Sequence, residues 1–309
     1  MTDSGTTATG SRDDLRVDSS RCLRMRYSES SCRRCVEICP HSAVSLEGFL
    51  AINPSHCHGC LLCTTACPVG ALEHSSDFKN TLKLLSRVPE PVLGCSRTKE
   101  FSNAGMACLG GLSEEHLLTL CHSLSDQLTL NMTLCAECIN RAVVAYLQSR
   151  LNNLSEAGLL NGGYQIVAAE SVADVNYRDE SLDRRSFFTS LSRTLFHSAA
   201  ALVSGTSKPA DAGSDYTGKR IPDRRKLLNM ATEKFLDELK EVVYRHYNHQ
   251  VTFSDNCTTC QGCAAACPTG ALLTDAENLP PRFDSLRCTG CGLCVEFCLD
   301  GFISMREPF

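Results

Sequence analysis

Residues 257–268 read CTTCQGCAAACP, and residues 288–298 read CTGCGLCVEFC. Both stretches place four cysteines in the order C-x2-C-x2-C-x3-C. Residues 57–68, CHGCLLCTTACP, repeat this spacing near the other end of the chain, and residues 32–40, CRRCVEICP, supply its last three cysteines. The sequence therefore contains an internal duplication, with one unit at each end and two cysteine runs in each unit.

The spacing of these cysteines points to a particular kind of metal centre. A cubane iron-sulfur cluster takes one thiolate on each of its four irons. The C-x2-C-x2-C loop supplies three of them, and the fourth cysteine of the run reaches the neighbouring cluster. Paired C-x2-C motifs also build zinc ribbons, but zinc does not need the third cysteine and the C-x3-C-P ending. The runs therefore predict iron-sulfur ligation. We interpret His41, His56 and His58, which lie near the cysteines, as exposed loop residues.

The two units resemble bacterial 2[4Fe-4S] ferredoxins over residues 21–80 and 251–309. In the C-terminal unit the resemblance implies one cluster on Cys257, Cys260, Cys263 and Cys298, and a second on Cys267, Cys288, Cys291 and Cys294. In the N-terminal unit it implies one cluster on Cys39, Cys57, Cys60 and Cys63. Leu299 departs from the family, which usually has proline after the last cysteine.

The remaining N-terminal cluster lacks its usual fourth ligand. Cys32, Cys35 and Cys67 are present, but the position three residues before Cys32 is Glu29. We predict that Cys22 completes the cluster across a lengthened loop. The alternatives are a three-iron cluster and an oxygen ligand from Glu29.

The predicted fold class is α+β, with two ferredoxin-like dicluster domains flanking a small α/β domain and a helical linker. Short strands are expected next to the cysteine runs, at Leu23–Tyr27, Phe49–Ile52, Val251–Phe253 and Phe302–Met305. The predicted order is a disordered tail at 1–20, a dicluster domain at 21–80, the α/β domain at 81–175, the linker at 176–250 and a dicluster domain at 251–309.

The middle segment alternates strand and helix patterns, which favours a parallel sheet. Ser113, followed by Glu114 and Glu115, is a good N-cap for a helix running to about Leu124. The pattern continues on both sides of that helix: strand Pro91–Cys95, strand Leu128–Leu134, helix Ile139–Leu151 and strand Gln165–Ala169. Its cysteines fall at the carboxyl ends of strands, where open α/β sheets place ligands.

Five cysteines lie in this middle domain. We predict a fifth iron-sulfur cluster on Cys95, Cys108, Cys135 and Cys138, and a buried thiol at Cys121 inside the helix. The pattern loosely resembles thioredoxin-like [2Fe-2S] ferredoxins and the delta subunits of hydrogenase complexes. A rival interpretation is a redox dithiol at Cys135 and Cys138, which are expected to open a helix whose dipole stabilises thiolates. The plainest alternative is a set of buried cysteines.

The linker carries a predicted helical packing face and two segments of less regular sequence. Its apolar residues recur at spacings of three and four: Leu227, Leu228, Ala231, Phe235, Leu239, Val242 and Val243. Ser204–Gly218 has the composition of a loop. Arg184–Phe188 resembles a twin-arginine export motif, but its place in mid-chain favours the start of an amphipathic helix.

Bulk composition narrows the class of protein. The chain has 309 residues, 21 cysteines and a net charge of −5. No signal-peptide pattern precedes the cysteines, and no apolar run approaches the roughly 18 residues of a membrane span. The sequence has no cluster of basic residues of the kind that binds nucleic acid. We therefore expect a cytoplasmic protein in a reducing compartment, from an anaerobic source.

These observations predict an electron-transfer subunit without substrate chemistry of its own. It would relay single electrons within a multi-subunit oxidoreductase, because the sequence has no nucleotide-binding loop and no radical-SAM motif. The expected partner is a catalytic subunit: a hydrogenase, a heterodisulfide-reductase-like enzyme, or a molybdenum or tungsten enzyme. The alternatives are a redox enzyme with its active site at the middle-domain cysteine pair, and clusters that serve structure alone.

Overall fold

The structure is a computed structural model. It describes residues 13–124, 127–160, 165–178, 218–274 and 278–308. The Arg184–Phe188 motif and nearly all of the predicted loop at 204–218 lie outside these ranges. Among the described residues, no helix is both long enough and apolar enough to cross a lipid bilayer.

The N-terminal unit is built from two small antiparallel sheets and short helices. Strand β1 (Leu15–Val17) pairs with β4 (Leu72–His74), and β2 (Val44–Ser45) pairs with β3 (Ala51–Ile52). The helices lie in or next to the cysteine runs: α1 (Leu23–Arg26), α2 (Arg34–Glu37) and α3 (Leu62–Ala66). Buried leucine, isoleucine and valine side chains form one core with several of the cysteines.

Two expectations for this unit differ from the structure. Residues 13–20, placed in a disordered tail by their composition, include β1, which is held by its partner strand far along the chain. The predicted strand at residues 23–27 is instead helix α1, since the turn that begins at Cys22 carries the backbone into helical hydrogen bonds. Tertiary pairing overrides the polar composition at the first place, and a local turn overrides strand propensity at the second.

The C-terminal unit repeats the N-terminal pairing scheme. Its first and last strands pair, β9 (Gln250–Phe253) with β12 (Ile303–Arg306). Its inner strands also pair, β10 (Leu272–Leu273) with β11 (Arg282–Phe283). Helices α9 (Gly262–Ala266) and α10 (Leu293–Phe297) follow the two cysteine loops.

The middle domain contains a four-stranded parallel sheet in the order β6-β5-β7-β8. Its strands are β5 (Val92–Cys95), β6 (Ala104–Met106), β7 (Leu128–Asn131) and β8 (Ile166–Ala169). Its helices are α4 (Phe78–Leu85), α5 (Glu114–Ser123) and α6 (Val143–Glu156). The carboxyl ends of all four strands lie at one edge of the sheet.

Helix α5 shows how the sequence specifies this domain. The Ser113 side chain accepts the backbone N–H of His116, and the His116 ring accepts the backbone N–H of Ser113. This reciprocal capping fixes the first turn, and Glu114 and Glu115 complement the helix dipole there. The helix then buries three leucines, Leu117, Leu118 and Leu120, in the core beneath the sheet.

Two further helices connect the middle domain to the C-terminal unit. They are α7 (Asp223–Thr232) and α8 (Asp237–Tyr247), separated by a break at residues 233–236. Leu228 and Val243 are buried in the middle-domain core, and Phe235 and Leu239 pack against it. The predicted apolar face is therefore a packing face, divided between two helices.

Candidate metal centres

Two cavities in the N-terminal unit are each lined by four cysteines. One is lined by Cys22, Cys32, Cys35 and Cys67 together with apolar residues that include Leu23, Leu50 and Leu72. The other is lined by Cys39, Cys57, Cys60 and Cys63 together with residues that include Val44 and Ile52. Four thiols facing an enclosed apolar space fit the needs of a cubane cluster, which takes four thiolates. Each set is named below by its first cysteine, as the Cys22 site and the Cys39 site.

The fourth position of the Cys22 site is where the sequence left alternatives. The buried Cys22 lies at the N-terminal end of α1 and lines the cavity. Glu29 is exposed, accepts a hydrogen bond from the Ser28 hydroxyl and does not line the cavity. The structure thus brings a thiol to the site and leaves this carboxylate outside it.

In three of the four runs, residues with left-handed backbone conformation stand on both sides of the second cysteine. The pairs are Gly59 and Leu61, Thr259 and Gln261, and Gly290 and Gly292, with φ between 54° and 81°. Two left-handed residues turn the loop tightly enough to bring consecutive thiols to one side. Three of the six are glycines, and the other three, Leu61, Thr259 and Gln261, carry side chains. A side chain in this conformation costs roughly 1–2 kcal/mol. The incomplete run has an ordinary φ of −132° at Arg33.

The last cysteine of three runs also accepts a backbone hydrogen bond. Ala43 N–H reaches Cys39 Sγ at 3.3 Å, Ala71 N–H reaches Cys67 Sγ at 3.2 Å, and Ala271 N–H reaches Cys267 Sγ at 3.3 Å. The donor lies four residues after the cysteine in each case. Hydrogen bonds to ligand sulfurs tune the potentials of iron-sulfur clusters.

In the C-terminal unit, cysteines from both runs share one small core. Burial, and then the charges of Cys288, Cys267 and Cys263, raise the pKa of Cys294 to about 12. Burial, together with Cys260 and Cys257, raises the pKa of Cys263. Cys298 packs against the same small core. The expected sets are named the Cys267 site (Cys267, Cys288, Cys291, Cys294) and the Cys257 site (Cys257, Cys260, Cys263, Cys298).

Raised thiol pKa values bear on how such sites bind metal. Burial, with smaller contributions from Cys67, Cys22 and Cys32, raises the pKa of Cys35 to about 12. A thiol of this kind is neutral at pH 7 unless a positive charge compensates the thiolate. Metal ions bind the thiolate, so loading of these sites would release protons.

The middle-domain cysteines meet at the carboxyl edge of the parallel sheet. Cys95 ends β5, Cys108 follows β6 and Cys135 follows β7, on three neighbouring strands. Burial and, less strongly, Cys95 and Cys135 raise the pKa of Cys108 to about 12. Arg97 lies next to Cys138, and its side chain donates to the Leu134 carbonyl at 3.2 Å. These four cysteines, the expected ligands of a fifth cluster, are named the Cys95 site.

One expectation about this site is wrong. Cys135 and Cys138 do not open a helix, because α6 begins only at Val143. They lie on successive tight turns, in which Cys135 N–H bonds the Met132 carbonyl and Cys138 N–H bonds the Cys135 carbonyl. No helix dipole stabilises a thiolate there, and burial raises the pKa of Cys135 to about 11. Cys121 is buried in α5, where burial raises its pKa to about 11.

Two residues that sequence reasoning missed join the middle domain to the Cys39 site. The Asn140 side chain meets the ring of His41 at 2.8 Å and donates to the His58 carbonyl at 2.9 Å. His41 and His58 line the Cys39 cavity, with their ring centres 4.7 Å apart. Gly110 lies where an added Cβ would stand 2.2 Å from the Cys60 carbonyl oxygen. The only sequence signal was the Gly110-Gly111 pair that follows Cys108 so closely.

In the part of the chain that the structure describes, the cysteines form neither disulfides nor a site for a single metal ion. All 21 lie within the described ranges, and none of them is in a disulfide. In the same ranges, no three His, Cys, Asp or Glu side chains converge closely enough to hold a single metal ion. Cubane ligands bind four separate irons, so they need to surround a volume rather than meet at one atom.

Comparison with known proteins agrees with this chemistry for the two terminal units. Residues 30–71 and 250–299 each match a family described as 4Fe-4S dicluster domain. The chain is 42% identical over 40 residues to the electron transport protein HydN of Escherichia coli K12, and equally to its counterparts in the O6:H1 and O157:H7 strains. That alignment covers 13% of this chain and 23% of HydN. No solved structure matches. The matches support 4Fe-4S clusters at both ends and a function in iron-sulfur electron transfer.

Proposed function

We propose that the chain relays single electrons as the iron-sulfur subunit of a multi-subunit oxidoreductase. The observation that carries the proposal is the pair of N-terminal cavities, each lined by four cysteines and enclosed mainly by apolar side chains. When bound, cubane clusters would supply one-electron chemistry, and the protein contributes ligands, spacing and electrostatics.

The four terminal sites hold the cubanes in this proposal. The left-handed loops position three thiols of each complete run, and the last cysteine of the run serves the neighbouring site. Cys22 takes the fourth position of its site in place of Glu29. The N–H groups of Ala43, Ala71 and Ala271 stabilise the ligand sulfurs of Cys39, Cys67 and Cys267.

The Cys95 site holds a fifth iron-sulfur cluster in this proposal. Three of its cysteines come from the carboxyl ends of neighbouring parallel strands, the edge at which α/β sheets place ligands. Arg97 places a positive charge next to Cys138. The raised pKa of Cys135 disfavours the rival dithiol enzyme, because a reactive dithiol needs a lowered pKa.

The substrate chemistry belongs to a partner in this proposal. The expected partner is a catalytic subunit of a hydrogenase, of a heterodisulfide-reductase-like enzyme, or of a molybdenum or tungsten enzyme. A reducing cytoplasm is the expected compartment, since its thiols would remain available to iron. Anaerobic affinity purification from the source organism, with identification of the co-purifying subunit, tests this part directly.

Iron analysis of anaerobically purified protein tests the cofactors. We expect about 16 iron atoms per chain from four cubanes, with matching acid-labile sulfide, plus the iron of the fifth cluster. Cys135→Ala should lose only that fifth portion, while Cys121→Ala, from the same domain, should keep all of the iron. Colourless protein would contradict the whole proposal. Full iron in Cys135→Ala, combined with loss of a disulfide-reductase activity, would support the rival enzyme.

A further inference from the structure

We propose that the five cysteine sites stand in single file, so that electrons enter at one end of the chain of sites and leave at the other. The inference rests on the proposed function, and it adds the order of the sites. That order is the Cys95 site, the Cys39 site, the Cys22 site, the Cys267 site and the Cys257 site. The N-terminal unit lies in the middle of the file, although it comes first in the sequence.

The first junction joins the middle domain to the Cys39 site. Cys108 packs with Cys60 around the buried side chains of Leu62 and Val143. Gly110 allows this approach, because a Cβ there would meet the Cys60 carbonyl oxygen at 2.2 Å. A single packed contact therefore has Cys108 of the Cys95 site on one side and Cys60 of the Cys39 site on the other.

The second junction lies inside the N-terminal unit and runs along α3. Cys63, near the start of the helix, lines the Cys39 cavity, and Cys67, just after its end, lines the Cys22 cavity. Cys63 also shares one buried core with Cys35, a member of the Cys22 site. One helical turn thus connects the two sites.

The third junction joins the two terminal units and decides which C-terminal site faces inward. Leu293, between Cys291 and Cys294, is 0% exposed and belongs to the core that contains Cys22, Cys35 and Cys67. Cys291 and Ala266 pack against the same core. The Cys267 site therefore faces the Cys22 site, and the Cys257 site lies beyond it.

Polar and aromatic contacts fix this third junction. Glu296 accepts the Ser30 hydroxyl at 2.7 Å and the Ser31 N–H at 3.2 Å. The rings of Tyr27 and Phe297 meet edge to face, with centres 5.4 Å apart. The extra residues between Cys22 and Cys32 thus build the surface on which α10 docks.

Both ends of the file reach the surface of the chain. Cys260 of the Cys257 site is exposed, and Arg97 is exposed beside Cys138 of the Cys95 site. Each transfer would move one electron from a reduced site to its oxidised neighbour, with no bond formed or broken. A one-electron donor protein at one end and a one-electron acceptor at the other complete the balance.

Electron paramagnetic resonance of the reduced holoprotein tests the order, because neighbouring reduced clusters broaden each other's signals. Cys135→Ala should abolish one cluster and sharpen the signal of the Cys39 site alone. Cys257→Ala should act in the same way on the Cys267 site alone. Cys35→Ala, in the centre, should sharpen signals on both sides, whereas Cys121→Ala should change nothing.

The outcomes separate the order from the underlying function. If the unmodified protein has its full iron content but Cys135→Ala sharpens the C-terminal signals, the single file is overturned and the relay function stands. Absence of reducible clusters in the unmodified protein would overturn both. If Cys135→Ala does not fold, Cys138→Ala removes another ligand of the same site and carries the same expectations.

Discussion

The two terminal units share their strand pairing and the spacing of their cysteines, but they complete their sites in different ways. Both runs of the C-terminal unit have left-handed residues around the second cysteine. The first run of the N-terminal unit lacks them, and Cys22 arrives from the end of a separate helix. A site of this kind therefore depends on where the fourth thiol ends up, and less on how the chain carries it there.

The units also differ in how they are held to the rest of the molecule. Arg224 from α7 donates to the Thr64 and Cys67 carbonyls and pairs with Glu115 of α5 at 3.0 Å. Arg150 from α6 reaches the Thr65 hydroxyl at 2.6 Å. The N-terminal unit is thus clasped by two other elements, while α10 of the C-terminal unit docks on its surface.

The fourth ligand of the Cys22 site gives the largest expected effect. Cys22→Ala should remove about one iron from that site, leaving a three-iron cluster, or remove about four by losing the cluster. Either result shows in iron analysis and in the resonance spectrum of the oxidised protein. Glu29→Gln is the matched control and should keep all of the iron. Iron loss in Glu29→Gln but not in Cys22→Ala would identify the Glu29 carboxylate as the fourth ligand.

Loss of the ion pair between Arg224 and Glu115 should destabilise the N-terminal unit more than the C-terminal unit. Glu115→Gln leaves Arg224 partly buried without its partner, which costs about 3 kcal/mol for a pair of this kind. We expect faster iron release from the N-terminal sites on heating, followed by absorbance. Lys240, whose ion pair with Asp237 lies on the surface, provides the control, since Lys240→Gln should change stability very little. Equal release from both units in Glu115→Gln would contradict the comparison.

The same carboxylate predicts a sensitivity to acid. Burial alone would raise the pKa of Glu115, but Arg224 and the Ser113 hydroxyl outweigh it and hold the pKa at about 2. A depressed pKa in the folded state means that this stabilisation is present above the ordinary value of 4.5 and is lost as pH falls toward 2. As pH falls from 4.5 toward 2, the melting temperature of Glu115→Gln should therefore fall less than that of the unmodified protein.

His116 predicts a separate acid effect at milder pH. Burial, and then the neighbouring His74, lower its pKa to about 3, so the folded protein keeps the ring neutral while the unfolded chain protonates below its ordinary value of 6.5. Stability should therefore fall by up to about 1.4 kcal/mol per pH unit as pH drops below that value. His116→Gln should flatten the melting temperature between pH 6.5 and 5. An unchanged slope would assign the effect to other groups.

Equivalent loop positions in the two C-terminal runs give the smallest effects, with opposite signs. Gly290→Ala places a side chain at φ 62° and brings its Cβ to 2.0 Å from the His249 ring, so stability should fall by about 1–2 kcal/mol from the backbone alone. Thr259→Gly relieves a β-branched residue at φ 54° and should gain up to about 1 kcal/mol. Thermal unfolding under anaerobic conditions compares them, and Gly290→Ala with His249→Ala isolates the backbone share. A stabilising Gly290→Ala would refute the equivalence of the two loops.

Local signals in the sequence predicted much of what the structure contains. The Ser113 cap places α5 within one residue of its observed start and end, since a cap fixes the first turn. The sequence does not predict strand β1, because its pairing partner lies far along the chain, with Glu73 opposite the central Arg16 at a separation of 57 residues. The start of α6 was placed too early, since tight turns after Cys135 mimic helical spacing. The Gly110-Gly111 pair is the one local signal of the Gly110 contact, and the place of Leu293 leaves no trace in the local pattern.

Leu293 has a consequence for how the protein is made. Its side chain lies between two C-terminal cysteines and fills the core of the other unit, so docking of the two units closes the space between their facing sites. We expect the assembly machinery to deliver iron to those sites before docking, while the surfaces are still apart. Hydrogen exchange would show this as faster amide exchange in α10 of metal-depleted chains than in α10 of mature ones.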